Sequence, residues 1–261
     1  MLDVLECLNC KARYVYPFQA NYEVYEQLHR GLGKGAYRDG ITLSKKLERF
    51  FESDNKLSYR KLLCQKDKFK HIVETLEQYS KDPSNNILEV GCARGQVTGY
   101  FLMKGYSIKG MDISSVAIEN AEKNFGKHFI SADLKEWKSD EKFQFIYHVG
   151  LIGVIDYPKE FLEICISRLK PGGVMLFNAP NKCKCNGIWV DTLPPDLRTV
   201  FEPATIFSIL ENKNVEVKIK IGLKEKYFTE GEKYLEVWEK MKDFFSKDNQ
   251  YNMYVMVKKR G

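Results

Sequence analysis

Two rhythms of apolar and polar positions divide the chain. From residue 87 onward, short apolar runs recur at 87–90, 107–112, 128–131, 143–148 and 174–178, and again at 215–221 and 251–258. Segments with helical spacing separate them. Strands alternating with helices predict an α/β domain, a mostly parallel seven-stranded sheet with helices on both faces, because parallel neighbours need a crossover between them. The last two runs are separated by a charged, helix-forming stretch, 230–247, too long for a hairpin turn. Lys170-Pro171-Gly172-Gly173 is expected to end one helix and open the next strand, since glycine supplies a left-handed helix terminus and proline cannot extend a helix.

Residues 1–82 follow the other rhythm. SKKLERFF and DKFKHIVETLEQYS space their apolar residues by three and four, after a stretch that holds Tyr14, Tyr16, Tyr22, Tyr25 and Tyr37. This predicts a helical cap or substrate lid over residues 1–82 and a ligand-binding core over residues 83–261. Lys81-Asp82-Pro83-Ser84-Asn85 is polar and contains proline, as suits a surface linker.

Composition narrows the class. With 44% hydrophobic and 13% aromatic residues, 261 residues suffice for a full core, and disorder is not expected. No run of eighteen apolar residues occurs, and the first residues, MLDVLECLNCKARY, lack the charged-then-apolar pattern of a signal peptide, so a cytoplasmic protein without a membrane partner is expected. Seven cysteines, an odd number scattered through strands, helices and loops, are not a disulfide framework and read as reduced thiols. The net charge of +6 comes from 41 basic and 35 acidic residues spread along the chain, with only a small cluster at Lys258, Lys259 and Arg260. That is a solvated surface rather than a nucleic-acid footprint, which would show a dense basic stripe with interleaved aromatics.

The chemistry concentrates in residues 86–95, NILEVGCARG, where an apolar strand bearing an acid opens into a glycine-containing turn. Glycines let the backbone approach a nucleotide closely, and the following helix points its free N–H groups at whatever lies above the strand. Ile108-Lys109-Gly110-Met111-Asp112 then ends a second strand in a carboxylate, where an α/β fold places a ribose-hydroxyl acceptor. A dinucleotide dehydrogenase uses similar parts, but GCARG lacks the G-x-G-x-x-G order that a pyrophosphate needs. An inert β-to-α turn is the bland alternative.

Glu89-Val90-Gly91-Cys92-Ala93-Arg94-Gly95 resembles the first motif of class I S-adenosylmethionine (SAM)-dependent methyltransferases, an acid followed by Gly-x-Gly-x-Gly, with Ala93 in the middle glycine's place. The resemblance runs from about Asn86 to Asn181 and thinly to the C-terminus. It implies a Rossmann-like fold, SAM as cofactor and methyl transfer. By the same resemblance Gly91, Ala93 and Gly95 form the turn below the methionine part, with Cys92 packed in that loop, and Glu89 attracts the ammonium directly or through water. Asp112 accepts both ribose hydroxyls and Ile113 packs on adenine. Asp133 receives the adenine amino group and the Leu134 N–H meets a ring nitrogen, the competing reading of Asp133 being a helix cap. His148, at the end of the fourth strand, sits where a general base would stand, or is a packed histidine. The Glu-His pair that many relatives carry next is replaced by Leu151-Ile152-Gly153-Val154-Ile155. Because a sulfonium methyl is already strongly electrophilic, alignment alone can supply much of the rate.

Cys7-Leu8-Asn9-Cys10 has zinc-knuckle spacing, and Cys183 and Cys185 form a second pair. The stretch CLNCKARYVYP resembles the start of bacterial small-molecule and sugar methyltransferases, but one of their two knuckles is missing, so free thiols are expected and no metal is assigned. Asn178-Ala179-Pro180-Asn181 resembles the strand end of small-molecule enzymes and differs from the motifs of DNA-base methyltransferases. Trp189, Tyr14, Tyr16 and Tyr37 are candidates for an aromatic acceptor pocket. The expected partner is therefore a small-molecule acceptor; methylation of RNA or protein, and a SAM-binding regulatory subunit without activity, are the alternatives.

Overall fold

The computed structural model describes residues 3–16, 22–32, 36–180, 198–221, 228–229 and 252–261. The expected helix over 230–247, and Cys183, Cys185 and Trp189, lie outside them. The chain forms two compact units, Ala20–Val149 with Ser167–Lys170, and Met1–Gln19 with Gly150–Ile166 and Pro171–Gly261. These boundaries differ from a division at residue 82.

The first of these units begins with α1 (Tyr22–Gln27), a π-helical turn at Leu28–Leu32, α2 (Ala36–Glu52), α3 (Lys56–Leu63) and α4 (Asp67–Tyr79). The two helices read from apolar spacing are α2 and α4, and α3 lies between them. Asn55 starts α3 by accepting the Ser58 N–H at 3.0 Å, satisfying a donor the helix itself leaves orphaned. Helix α4 buries Ile72, Val73 and Leu76 on one side.

Strands β3 (Ile87–Val90), β4 (Ile108–Asp112), β5 (Phe129–Ser131) and β6 (Phe143–His148) follow, with α5 (Gln96–Met103) and α6 (Ser115–Phe125) as crossovers. Pairing is parallel throughout, β3 lying between β4 and β6, and β5 beyond β4. All four residues of β3 are buried, which is why that strand reads as a continuous apolar run rather than an alternating one. Its one acid, Glu89, is 4% exposed.

In the other unit, β7 (Leu169–Pro180), β11 (Asn252–Lys259), β9 (Val215–Ile221) and the short β10 (Phe228–Thr229) pair antiparallel. The Lys170-Pro171-Gly172-Gly173 segment lies inside the start of β7, where Gly172 takes φ +73°. Helix α7 (Pro158–Arg168) leads into β7, and α8 (Pro203–Leu210) carries a capping box between Glu202 and Thr205. The N-terminus opens with strands: β1 (Asp3–Glu6) and β2 (Arg13–Tyr16) make a hairpin, and β2 also pairs with β8 (Thr199–Val200). Cys7 and Cys10 flank the hairpin tip as free thiols. Among the described residues no cluster of three or more His, Cys, Asp or Glu could hold a metal, and no helix is long and apolar enough to cross a membrane.

Candidate active site

The glycine loop after β3 is held open by close packing beneath it. Gly91 and Cys92 both donate N–H bonds to the Met111 carbonyl, at 2.7 and 2.9 Å, so the loop is tied to the end of β4. Gly95 starts α5 with φ +72°, and a Cβ there would stand 2.6 Å from the Phe129 ring. Conformation and space both exclude a side chain at this position. Ala93 takes φ +46°, so the residue in the middle glycine's place carries backbone strain as well as an extra methyl. Cys92 is buried, and burial pushes its thiol well above the usual range. Its sulfur would lie 2.9 Å from a Cβ on Gly110, which makes it part of the floor.

The loop brings Asp112 into a defined position. Its Oδ2 accepts the Ala93 N–H at 2.8 Å and its Oδ1 the Ser114 N–H at 3.0 Å. A carboxylate oxygen has two lone pairs, so each oxygen can accept one further hydrogen bond, as two vicinal hydroxyls require. Ile113 beside it is 44% exposed, an apolar surface at the mouth. Glu89 is arranged differently: its Oε2 takes the Thr98 N–H at 3.0 Å, the Thr98 hydroxyl and the Tyr147 hydroxyl at 3.0 Å. Among the described residues no donor reaches its Oε1. Burial raises its carboxyl to about 7 against the opposing bonds from Thr98 and Tyr147.

Asp133 caps its own turn, accepting the Lys135 N–H at 2.8 Å, and Leu134 is buried. His148 is fully buried and burial lowers it to about 3. An imidazole in that environment stays neutral and takes up protons poorly at neutral pH, which speaks for a packed histidine over a general base.

Three residues not singled out in the sequence stand at this mouth. Glu26 of α1 lies across the start of α6, its Oε1 accepting the Ser115 N–H at 2.8 Å and its Oε2 the Ser114 hydroxyl at 3.2 Å and the Val116 N–H at 3.4 Å. A carboxylate at a helix N-terminus is favoured by the orphan N–H groups and the helix dipole. His29 follows in the π-helical turn. Burial lowers its imidazole, opposed by the nearby Asp112 charge and reinforced by Arg94. Arg94, within the glycine loop, donates through Nη2 to the His29 carbonyl, while its Nε is buried with no hydrogen-bond partner. No periodicity marks Glu26 or His29, because their role depends on partners some 65 to 90 residues away. Arg94 was in view inside GCARG, but its missing partner shows only in three dimensions.

Comparison with known proteins identifies the family and the fold. The profile of a family described as a methyltransferase domain matches residues 58–216. The ubiquinone biosynthesis O-methyltransferase of Rickettsia bellii (strain OSU 85-389) is 25% identical over 170 residues, covering 59% of this chain and 71% of the relative. That of Rickettsia typhi is 24% identical over 173 residues, covering 60% and 70%. Among solved structures, a SAM-dependent methyltransferase from Archaeoglobus fulgidus superposes with TM-score 0.53 at 20% identity, over 73% of this chain and 94% of that one. A SAM-dependent methyltransferase from Clostridium acetobutylicum does so with TM-score 0.54 at 14% identity, over 92% and 98%. These likenesses establish an α/β, Rossmann-like fold with a mixed, mostly parallel sheet. The chain belongs to the methyltransferase-domain family, and it is a class I methyltransferase.

Proposed function

We propose that this protein transfers a methyl group from SAM to a small-molecule acceptor. The observation that carries the reading is Asp112, whose carboxylate is pinned by two backbone N–H groups, Ala93 and Ser114, and keeps one lone pair per oxygen for a pair of ribose hydroxyls. The relatives named as O-methyltransferases of ubiquinone biosynthesis act by their names on a small molecule, and a plantazolicin methyltransferase of similar fold, with TM-score 0.51 at 17% identity, holds S-adenosylhomocysteine.

The residues present suit the cofactor. Its sulfonium supplies an electrophilic methyl group when bound. Glu89 presents Oε1 to an ammonium, and Thr98 and Tyr147 keep that side chain from rotating away. Gly91 and Gly95 hold the loop low enough for a ligand to lie across it. Ile113 offers an apolar face to a purine, and the turn at Asp133 and Leu134 supplies polar groups to its edge. The cap proposed over residues 1–82 includes residues 22–32, where Glu26 meets the start of α6 and the His29 carbonyl accepts from Arg94 of the glycine loop. With His148 buried and neutral, acceleration rests on alignment in a water-poor site rather than on a strong base. A cytoplasmic location is in keeping with the free cysteines of the described residues.

Calorimetric titration with SAM, NAD and NADP tests the reading. SAM binding without dinucleotide binding is expected, followed by turnover in a screen of phenolic, amine and activated-carbon acceptors. Preference for a dinucleotide would overturn it.

A further inference from the structure

A groove of about 410 Å³ lies between α2 and α3, lined by Lys46, Arg49 and Phe50 from one helix and by Ser58, Lys61 and Leu62 from the other. None of these residues belongs to the cofactor site described above. Helical spacing accounts for the grouping. Lys46, Arg49 and Phe50 stand three and four residues apart on one face of α2, and Ser58, Lys61 and Leu62 repeat that spacing on α3. The neighbouring acids are directed elsewhere. Glu48 and Glu52 fall on the other side of α2, and Glu77 of α4 is engaged by Arg60 at 2.8 Å.

Both walls therefore turn positive charge into one space. Lys46, Arg49 and Lys61 are exposed and make no ion pair among the described residues. Other lysines find a carboxylate, as Lys109 does in Glu141 at 2.7 Å and Lys213 in Glu163 at 2.6 Å. Like charges three residues apart weaken a helix, and a third cation across the groove adds to the repulsion. Phe50 and Leu62, both half-buried, give the same space an apolar lining. Three unpaired cations beside two apolar side chains match a ligand that carries both an anion and a hydrocarbon part.

We infer that the groove between α2 and α3 is a second ligand site, for a small amphiphile that carries a phosphate group. Lys46, Arg49 and Lys61 meet the phosphate, whose charge of about −1.5 to −2 and three acceptor oxygens suit three cationic donors. The Ser58 hydroxyl adds a neutral donor, and Phe50 and Leu62 cover the apolar body. A phosphate fits this set better than a carboxylate, since a carboxylate brings one charge and two oxygens to three cations. The volume of the groove falls within the roughly 300–1,000 Å³ of small-molecule sites, which favours a soluble ligand over a membrane or a protein surface. The inference goes beyond methyl transfer and does not depend on it.

The test is calorimetric titration of the full chain with hexyl phosphate, inorganic phosphate and hexanol, which separate the head of the ligand from its body. Hexyl phosphate should bind at least about tenfold more tightly than either fragment, and more weakly as salt rises. No binding of hexyl phosphate, or equal affinity for it and inorganic phosphate, would overturn the inference. Arg49→Glu on α2 and Lys61→Glu on α3 should each weaken hexyl phosphate about tenfold. Lys123→Glu, the same change of charge at an exposed residue outside the groove, should stay within about twofold. Comparable losses in all three variants would overturn the site, because net charge rather than the groove would then hold the ligand. The two groove variants lie on different helices, so if one fails to fold the other decides. Saturating S-adenosylhomocysteine should leave the affinity unchanged, and competition would place the ligand in the cofactor site and overturn the inference. Binding of phosphatidylglycerol vesicles or of polyglutamate without binding of hexyl phosphate would overturn it too, in favour of a membrane or an acidic protein.

Discussion

Two clusters in the same unit, one behind the glycine loop and one in front of it, use the same residue types to opposite ends. Behind it, Arg60 of α3, Glu77 of α4 and Tyr100 of α5 satisfy one another. Glu77 accepts from Arg60 at 2.8 Å and from Tyr100 at 2.5 Å. Burial pushes the Glu77 carboxyl up, and the bonds from Arg60 and Tyr100 outweigh it and bring the carboxyl below its usual range. At the loop, Asp112 has spare lone pairs and Ile113 shows apolar surface. The difference separates a closed brace from a loop with capacity to spare: Arg60, Glu77 and Tyr100 satisfy one another, whereas Asp112 keeps a lone pair on each oxygen. Folding alone gains nothing from that openness, so a ligand is its natural explanation.

Substitutions can break this contrast, beginning with the largest expected effect. Gly95→Ala puts a methyl into the Phe129 ring at a left-handed backbone position and should cost about 2–4 kcal/mol of stability, summing backbone strain and overpacking. Urea unfolding measures it, and a loss below about 0.5 kcal/mol would mean that the loop tolerates a side chain. Next comes Asp112→Ala, which should leave folding nearly intact and weaken SAM binding by roughly 2–3 kcal/mol, the worth of two charge-assisted hydrogen bonds. Unchanged affinity in a folded variant would remove Asp112 from the ribose site.

A pH experiment sharpens the contrast further. Glu89, raised to about 7, stabilises the fold below its unfolded value and loses that contribution as pH rises through 7. His148, lowered to about 3, does the reverse: its contribution is present above the unfolded histidine value and is lost as pH falls toward 3. Between about pH 4.5 and 6.5 the two slopes oppose and largely cancel. Glu89→Gln leaves the histidine slope alone, so the variant should gain about 2 kcal/mol of stability between pH 5 and 6.5, where the unmodified protein stays nearly flat. Identical pH profiles for the two proteins would show that folding does not raise the Glu89 carboxyl.

The smallest effect is expected at the brace. Arg60→Ala breaks a pair that solvent partly screens, with side chains 36% and 24% exposed, and should cost about 1 kcal/mol of stability. SAM affinity should change less than about twofold, and a large loss of affinity would erase the distinction between brace and mouth.

The order of elements from β3 to β6 was legible because buried parallel strands are continuous apolar runs and their crossovers are helices, both local patterns. Asp112 and Gly95 were legible for a related reason: a strand that ends in an acid, and a turn that needs glycine, leave marks within a few residues. Glu26 and Arg94 were not. A carboxylate that caps a helix 89 residues away carries no local signature, and Arg94 differs from any surface arginine only by what fails to meet it. His148 shows the opposite limit, since its place at a strand end suggested chemistry, while its full burial is visible only in the fold. The N-terminal hairpin was missed because four-residue strands, exposed in β1, lack the alternation that half-buried strands show.

By itself, then, the sequence determined the class of fold, the glycine turn after β3 and the carboxylate at the end of β4, because periodicity and glycine chemistry act over a turn or a strand. Tertiary structure alone decided which charged groups are spent and which remain open. Hydrogen-bond satisfaction is a property of neighbours in space, and the partners of Glu89, Glu26 and Arg94 are gathered by the fold from 9 to 90 residues away.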